Sequence, residues 1–305
     1  MCRVITPALI AVAFVGAVEY FVGWRLVFYP WRFIDNYWTI IAPAALVALT
    51  YLLRTLRLYR YFNMKKDFGL CLRLMLQHNL LLNLLPMRTG EFAFPVLMNR
   101  YFSMAPSRTI PALLWLRLLD LHALVLILIL VIGFFVSPTL GIVMSVLWVS
   151  GLFLVFSVSK KLDAFLANHQ AKRVLLLLRN TVSAIPRRVG PLVESWLLTV
   201  ANWAAKLAVC AWIVQVFSST DYMIALAGAI GGEASTILPV HGFAALGTYE
   251  LGVVAAMQIF GISVHDALTG AANLHFLLLG VSIAGGLASL LIVTPSASRH
   301  GAPIH

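Results

Sequence analysis

Long apolar runs, parted by short polar ones, recur from one end of the chain to the other. Six of them, residues 4–24, 38–60, 108–136, 139–159, 192–217 and 265–293, match the roughly 20 residues that a helix needs to cross a bilayer. Two further regions, 68–104 and 221–260, are apolar but interrupted. The first breaks at Leu85-Pro86-Met87-Arg88-Thr89-Gly90-Glu91 and again at Pro95, the second at Pro239, Gly242 and Gly247. Each half of a broken region is too short for a full crossing. Backbone that leaves the helix at membrane depth must be buried in protein or face water, because lipid cannot satisfy its N–H and C=O groups. The pattern predicts an all-α polytopic membrane protein with about six full crossings and two interrupted, re-entrant hairpins, although tilted full crossings fit nearly as well.

The interruptions repeat. Leu85-Pro86, Gly90-Glu91 and Arg117 in the first half are echoed by Leu238-Pro239, Gly247, Glu250 and His275 in the second. Paired interrupted helices in corresponding positions mark inverted-repeat transporters with a midplane site. The expected organisation is one transmembrane unit: a first half 1–159, a connector 160–190, a second half 191–294 and a tail 295–305.

Composition agrees. Of 305 residues, 61% are hydrophobic and 11% charged, with a mean hydropathy of +0.93, against about 25% charged in soluble domains. The formal net charge of +11 does not point to nucleic acid, because the basic residues cluster at the ends of apolar runs. Arg54, Arg57, Arg60, Lys65 and Lys66 form one group; Lys160, Lys161, Lys172, Arg173, Arg179, Arg187 and Arg188 form another. That is the positive-inside pattern. It puts both groups on the cytoplasmic side, places both termini there in a bacterial inner membrane, and lets the hairpins enter from opposite faces. The connector is expected to be a basic helix lying in the interface. For the first run a cleaved signal peptide competes, since Ala11-Val12-Ala13 is small enough for processing. The run continues through Trp24 without a polar start, which favours an uncleaved helix. Cys2, Cys71 and Cys210 lie far apart, so no disulfide framework or zinc site is implied.

An ionisable group near the bilayer centre costs on the order of 3 kcal/mol by insertion scales, so Arg88, Glu91, Arg117 and Asp120 must pair, reach water or hold a charged ligand. Arg88 and Glu91 are three apart, as are Arg117 and Asp120, which therefore share a helix face. Two salt bridges stapling the hairpin to the helix are one reading. A guanidinium left for a phosphate, whose oxygens its planar fork matches, is the other. In the second half Glu250 either pairs with His241 as a proton-linked couple or accepts hydrogen bonds from the hairpin tip. His241 and His275 are candidates for the site. Asn79 and Asn83, like Asn202 and Lys206, stand at helical i, i+4 spacing, and polar residues in such runs glue helices together. Nucleophile-elbow, Walker and metalloprotease patterns are absent from the sequence. The reading is of a non-enzymatic protein needing no cofactor or metal.

Asn83 through Glu91, followed by Arg117-Leu118-Leu119-Asp120, resembles the first signature of the lysylphosphatidylglycerol synthase transmembrane-region family, also described as flippase-like membrane proteins. Leu238-Pro239 through Gly242, Gly247 and Glu250, then Gly261-Ile262 and Ala267, resembles its second signature, and Arg54-Thr55-Leu56-Arg57 fits as well. The resemblance implies a multi-helix unit that moves aminoacylated phosphatidylglycerol, glycolipids or hopanoids. This chain, ending soon after its last helix, resembles the stand-alone members that lack the aminoacyltransferase domain. His275 stands where the family often has arginine, and Gly247-Thr248-Tyr249-Glu250 is a variant. The site expected on these grounds comprises Asn83, Arg88, Glu91, Arg117, Asp120, His241, Glu250 and His275. The expected function is a lipid flippase or transporter for a charged or sugar head group. The alternative is a non-catalytic accessory to an envelope-lipid or glycolipid synthase. Membrane lipids are the expected partners, with such a synthase as a further possibility and no nucleic acid.

Overall fold

The structure is a computed structural model that describes residues 12, 15, 16, 18–20, 23–64, 68–167, 179–236 and 243–292, and only the backbone of 33, 87, 88, 160, 163–167 and 243. Among the described residues there is no strand, and nine helices have ten residues or more. These are α1 (Trp38–Tyr61), α2 (Phe68–Leu84), α3 (Ala93–Phe102), α4 (Pro106–Val136), α5 (Pro138–Ala167), α6 (Val189–Ser218), α7 (Tyr222–Ser235), α8 (Thr248–Gln258) and α9 (Val264–Leu291). Five are long and apolar enough to cross a membrane: α1, α4, Pro138–Ser159 within α5, α6 and α9. They coincide with five of the six predicted crossings. Most of the remaining run, 4–24, lies outside the described residues.

Both interrupted regions are helical hairpins. In the first, α2 turns through a 3₁₀ segment, Pro86–Phe92, into α3. Pro95 does not break the chain a second time, contrary to expectation. It is the third residue of α3, where the helix has no carbonyl waiting for its N–H. In the second hairpin α7 ends at Ser235, and α8 starts behind Gly247, whose φ of 87° is natural to glycine. Pro239, His241 and Gly242 lie outside the described residues. The connector does not begin a new element at 160, because α5 runs unbroken to Ala167; residues 168–178 lie outside the described ones.

The two halves match in plan. Long helix, hairpin and long helix are α1, α2–α3 and α4 in the first half, and α6, α7–α8 and α9 in the second, with α5 packed on α4. Two apolar cores result: Leu58, Leu74, Phe94, Met98 and Leu116 within the first half, and Leu207, Ile213, Val253, Met257 and Leu274 of the second half, joined by Leu124 and Val131 of α4. The equivalent helices α1 and α6 pack antiparallel, with Arg57 against Thr199 at one level and Val47 and Tyr51 clustered with Val209 at another. Helices α2 and α9 are also antiparallel: Gly69 approaches Ile292, and Leu80 approaches Gly286. The 3₁₀ turn of the first hairpin touches the Phe243–Ala245 turn of the second. An inverted pair of halves brings antiparallel equivalents and facing tips together in this way. The outward faces of α4 and α5 expose Leu130, Phe134, Ile142, Val146, Leu147 and Leu154, a surface suited to lipid rather than water.

Candidate functional site

A cavity of about 470 Å³ lies between the halves. Its charged and polar wall comes from both: Arg54 of α1, Asn79 and Asn83 of α2, Arg117 and Asp120 of α4, and Asn202, Lys206, Glu233 and His275 of α6, α7 and α9. Leucines of α4 and α9 supply much of the remaining wall.

In the first half Asp120 is the hub. Its Oδ1 accepts from Arg57 Nη1 at 2.6 Å and from Trp203 Nε1 at 3.2 Å. Its Oδ2 accepts from Arg117 Nη1 at 3.3 Å. Arg117 Nη2 in turn meets Glu91 Oε1 at 2.9 Å, which ties the hairpin tip to α4. Arg57 also donates to Thr199 Oγ1 at 2.8 Å, linking the halves. Two guanidinium forks around one buried carboxylate satisfy most of its acceptor sites.

The second half repeats the arrangement with other residues. Lys206 Nζ lies 2.7 Å from Glu233 Oε2 and 5.3 Å from the centre of the Trp203 ring. His275 Nδ1 donates to Glu250 Oε1 at 2.6 Å. Glu250 Oε2 accepts from Gly247 N at 2.8 Å, closing the first turn of α8. In each half, therefore, the glutamate behind the hairpin tip binds a base on the following long helix, Glu91 with Arg117 and Glu250 with His275. A base on the preceding long helix binds the hairpin's first helix, Arg54 with Asn79 and Lys206 with Glu233.

That second correspondence is unequal. Lys206 meets a carboxylate, but Arg54 Nη1 donates to the neutral Asn79 Oδ1 at 3.0 Å. The Nε of Arg54 is buried and makes no hydrogen bond. Among the described residues Arg54 is the cavity-lining cation held by no carboxylate. The buried Oδ1 of Asn202, also on the wall, has no hydrogen-bond partner either. The wall thus offers a guanidinium and an amide with unused capacity. Asn83 and Asn79 both donate to Ser282 Oγ, at 3.0 and 3.3 Å, holding α2 to α9.

Of the eight residues expected from the sequence, Asn83, Arg117, Asp120 and His275 line the cavity. Glu91 and Glu250 stand behind its wall and hold Arg117 and His275. The side chain of Arg88 and all of His241 lie outside the described residues. Of the two readings of Glu250, acceptance of a hydrogen bond at the hairpin tip holds, from Gly247 N, and its imidazole partner among the described residues is His275. Sequence reasoning assigned Arg54 and Arg57 to a basic helix end, yet both turn inward: Arg57 is buried and Arg54 lines the cavity. Their i, i+3 spacing after Thr50 was the available signal. Glu233 was not singled out at all, although a carboxylate inside an apolar run was sufficient warning.

A family model described as the lysylphosphatidylglycerol synthase transmembrane region matches residues 4–286, and the chain belongs to that family. Comparison with curated proteins and with solved structures gave no match.

Proposed function

We propose that this member of the lysylphosphatidylglycerol synthase transmembrane-region family is a lipid carrier. Its central cavity takes the anionic or hydroxyl-rich head group of a membrane lipid and passes it between the leaflets of a bacterial inner membrane. Arg54 is the observation that carries this reading. A half-buried guanidinium hydrogen-bonded only to an amide has donors to spare, and a phosphate on them would add a negative charge in a bidentate geometry. Asn202 would meet a hydroxyl of the same head group. The apolar remainder of the wall suits acyl chains. We read the protein as a carrier rather than a catalyst, with the paired halves rocking about the cavity and the basic helix ends on the cytoplasmic side.

The test is leaflet exchange of head-group-labelled phosphatidylglycerol in liposomes holding the purified full chain. Wild type should exchange lipid above empty vesicles, and Arg54→Gln should lower the rate about tenfold or more, the equivalent of one lost charge-assisted contact. Because Arg54 braces no carboxylate, the variant should melt within a few degrees of wild type. Exchange no faster than empty vesicles, across several anionic lipids and with a pH gradient imposed, would reject the carrier reading in favour of an accessory to a lipid synthase.

A further inference from the structure

A second cavity, of about 520 Å³, lies at one end of the molecule, where the end of α1, the start of α4 and the start of α6 converge. Residues Asn180–Pro186 close its far side, pinned by Tyr61 Oη donating to the Ala184 carbonyl at 2.5 Å. Thr181 in the same stretch lines the central cavity, so this stretch stands between the two. The volume falls within the roughly 300–1,000 Å³ of small-ligand pockets.

Its electrostatics run one way. Arg57, Arg60, Arg108, Arg187 and Arg188 line it against one carboxylate, Glu194, among the described residues. Arg57 is committed to Asp120. Arg60 and Glu194 meet at 3.4 Å on exposed side chains, a contact of little strength in water. Arg108 lies over the Phe62 ring, 5.7 Å from its centre. Helices α4 and α6, of 31 and 30 residues, both begin at this cavity, and neither start has a side-chain cap or an acid in its first turn. Each such start carries about half a positive charge, and both face the arginines.

A further observation points to a ligand. The side chain of Ser195 is buried and lines the cavity, and its Oγ has no hydrogen-bond partner. A buried hydroxyl without a partner has given up its hydrogen bonds to water for nothing in return, a penalty that a partner arriving with the ligand would remove.

We propose that this cavity is a binding site for a phosphate-type oxyanion, distinct from the central one, and that the phosphate is borne by the head group of an anionic phospholipid. Arg108 and Arg188 grip the oxygens, the two helix starts add their N–H dipoles, and Ser195 hydrogen-bonds the head group. The site does not depend on the carrier reading, because an accessory protein would anchor lipid there equally well.

The experiment counts bound lipid by native mass spectrometry of the full chain. The probes are phosphatidylglycerol, phosphatidylcholine as zwitterionic control, and glycerol 3-phosphate and inorganic phosphate as competitors. Arg108→Gln/Arg188→Gln should weaken one class of phosphatidylglycerol binding by about tenfold or more, leaving the class that Arg54→Gln removes. Ser107→Asp guards against misfolding. A carboxylate in the first turn of α4 favours the helix while repelling an anion, so this variant should bind less yet melt no lower. Displacement by glycerol 3-phosphate or inorganic phosphate would keep the oxyanion site but assign it to soluble phosphates. Unchanged phosphatidylglycerol binding in the folded double variant and in Ser107→Asp, or equal retention of phosphatidylcholine, would overturn the proposal.

Discussion

Asp120 shows how much a single buried residue holds here, and how little of that is local. Its i−3 contact with Arg117 is readable from spacing, because one helix turn places the two on the same face. Its shorter contact, to Arg57, spans 63 residues, and no periodicity within a helix announces it. Arg57 lies near the end of its apolar run, where a basic residue is ordinarily an interfacial anchor; only the packing of α1 against α4 and α6 turns it inward. The pair invites a double-mutant cycle. Asp120→Ala leaves Arg57 with a threonine hydroxyl alone and Arg117 with Glu91, and loss of one partner of a buried pair costs about 3–5 kcal/mol. Arg57→Met/Asp120→Leu removes both charges and leaves Arg117 with Glu91, so most of that loss should be recovered. Thermal unfolding in detergent reads the difference. If the double variant melts as low as Asp120→Ala, then Asp120 is held in place by something other than its charge balance with Arg57.

The hairpins were the most legible elements, because proline and glycine that interrupt apolar sequence at membrane depth mark backbone that has left the helix. What the pattern left out was how closely the returning limbs pack. A Cβ on Gly90 would lie 2.4 Å from the Leu81 carbonyl oxygen, and one on Gly252 would lie 2.5 Å from the Gly231 carbonyl oxygen. Both clashes are with backbone, which cannot swing aside as a long side chain can. Gly90→Ala and Gly252→Ala should therefore push the limbs apart, lower the melting temperature and displace Glu91 and Glu250 from Arg117 and His275. Gly151→Ala, with nothing within 4 Å of its Cβ, is the control and should melt as wild type or slightly above, since alanine favours helix. Equal behaviour of all three would mean that the hairpins tolerate a wider spacing. Pro95 carries the opposite lesson: a breaker residue breaks only where its missing N–H would have been used, and in the first turn of α3 it would not.

Across the whole molecule, the antiparallel packing of α1 on α6 fixes which helix ends share a side of the membrane. Tyr61 and Val189 end and begin their helices at the end that holds the arginine-lined cavity, so Ser218 closes α6 at the other. Charge alone could not establish this, since Arg54 and Arg57, counted toward the positive side, turn out to be interior. The geometry leaves a topology that cysteine labelling can test. Cys71 and Cys210 are buried, so in a Cys2→Ser background an impermeant maleimide should report introduced cysteines alone. Asn63→Cys and Arg188→Cys replace exposed residues at one end, and Ser219→Cys replaces one at the other. In intact cells Ser219→Cys should label while the other two stay silent; in inverted vesicles the pattern should reverse, because basic loops remain in the cytoplasm. Labelling of all three from one side would contradict a membrane-crossing α6 and, with it, the opposed hairpins whose tips meet beside the cavity. Reversal of the whole pattern would spare the repeat but move the arginine-lined cavity to the outer leaflet.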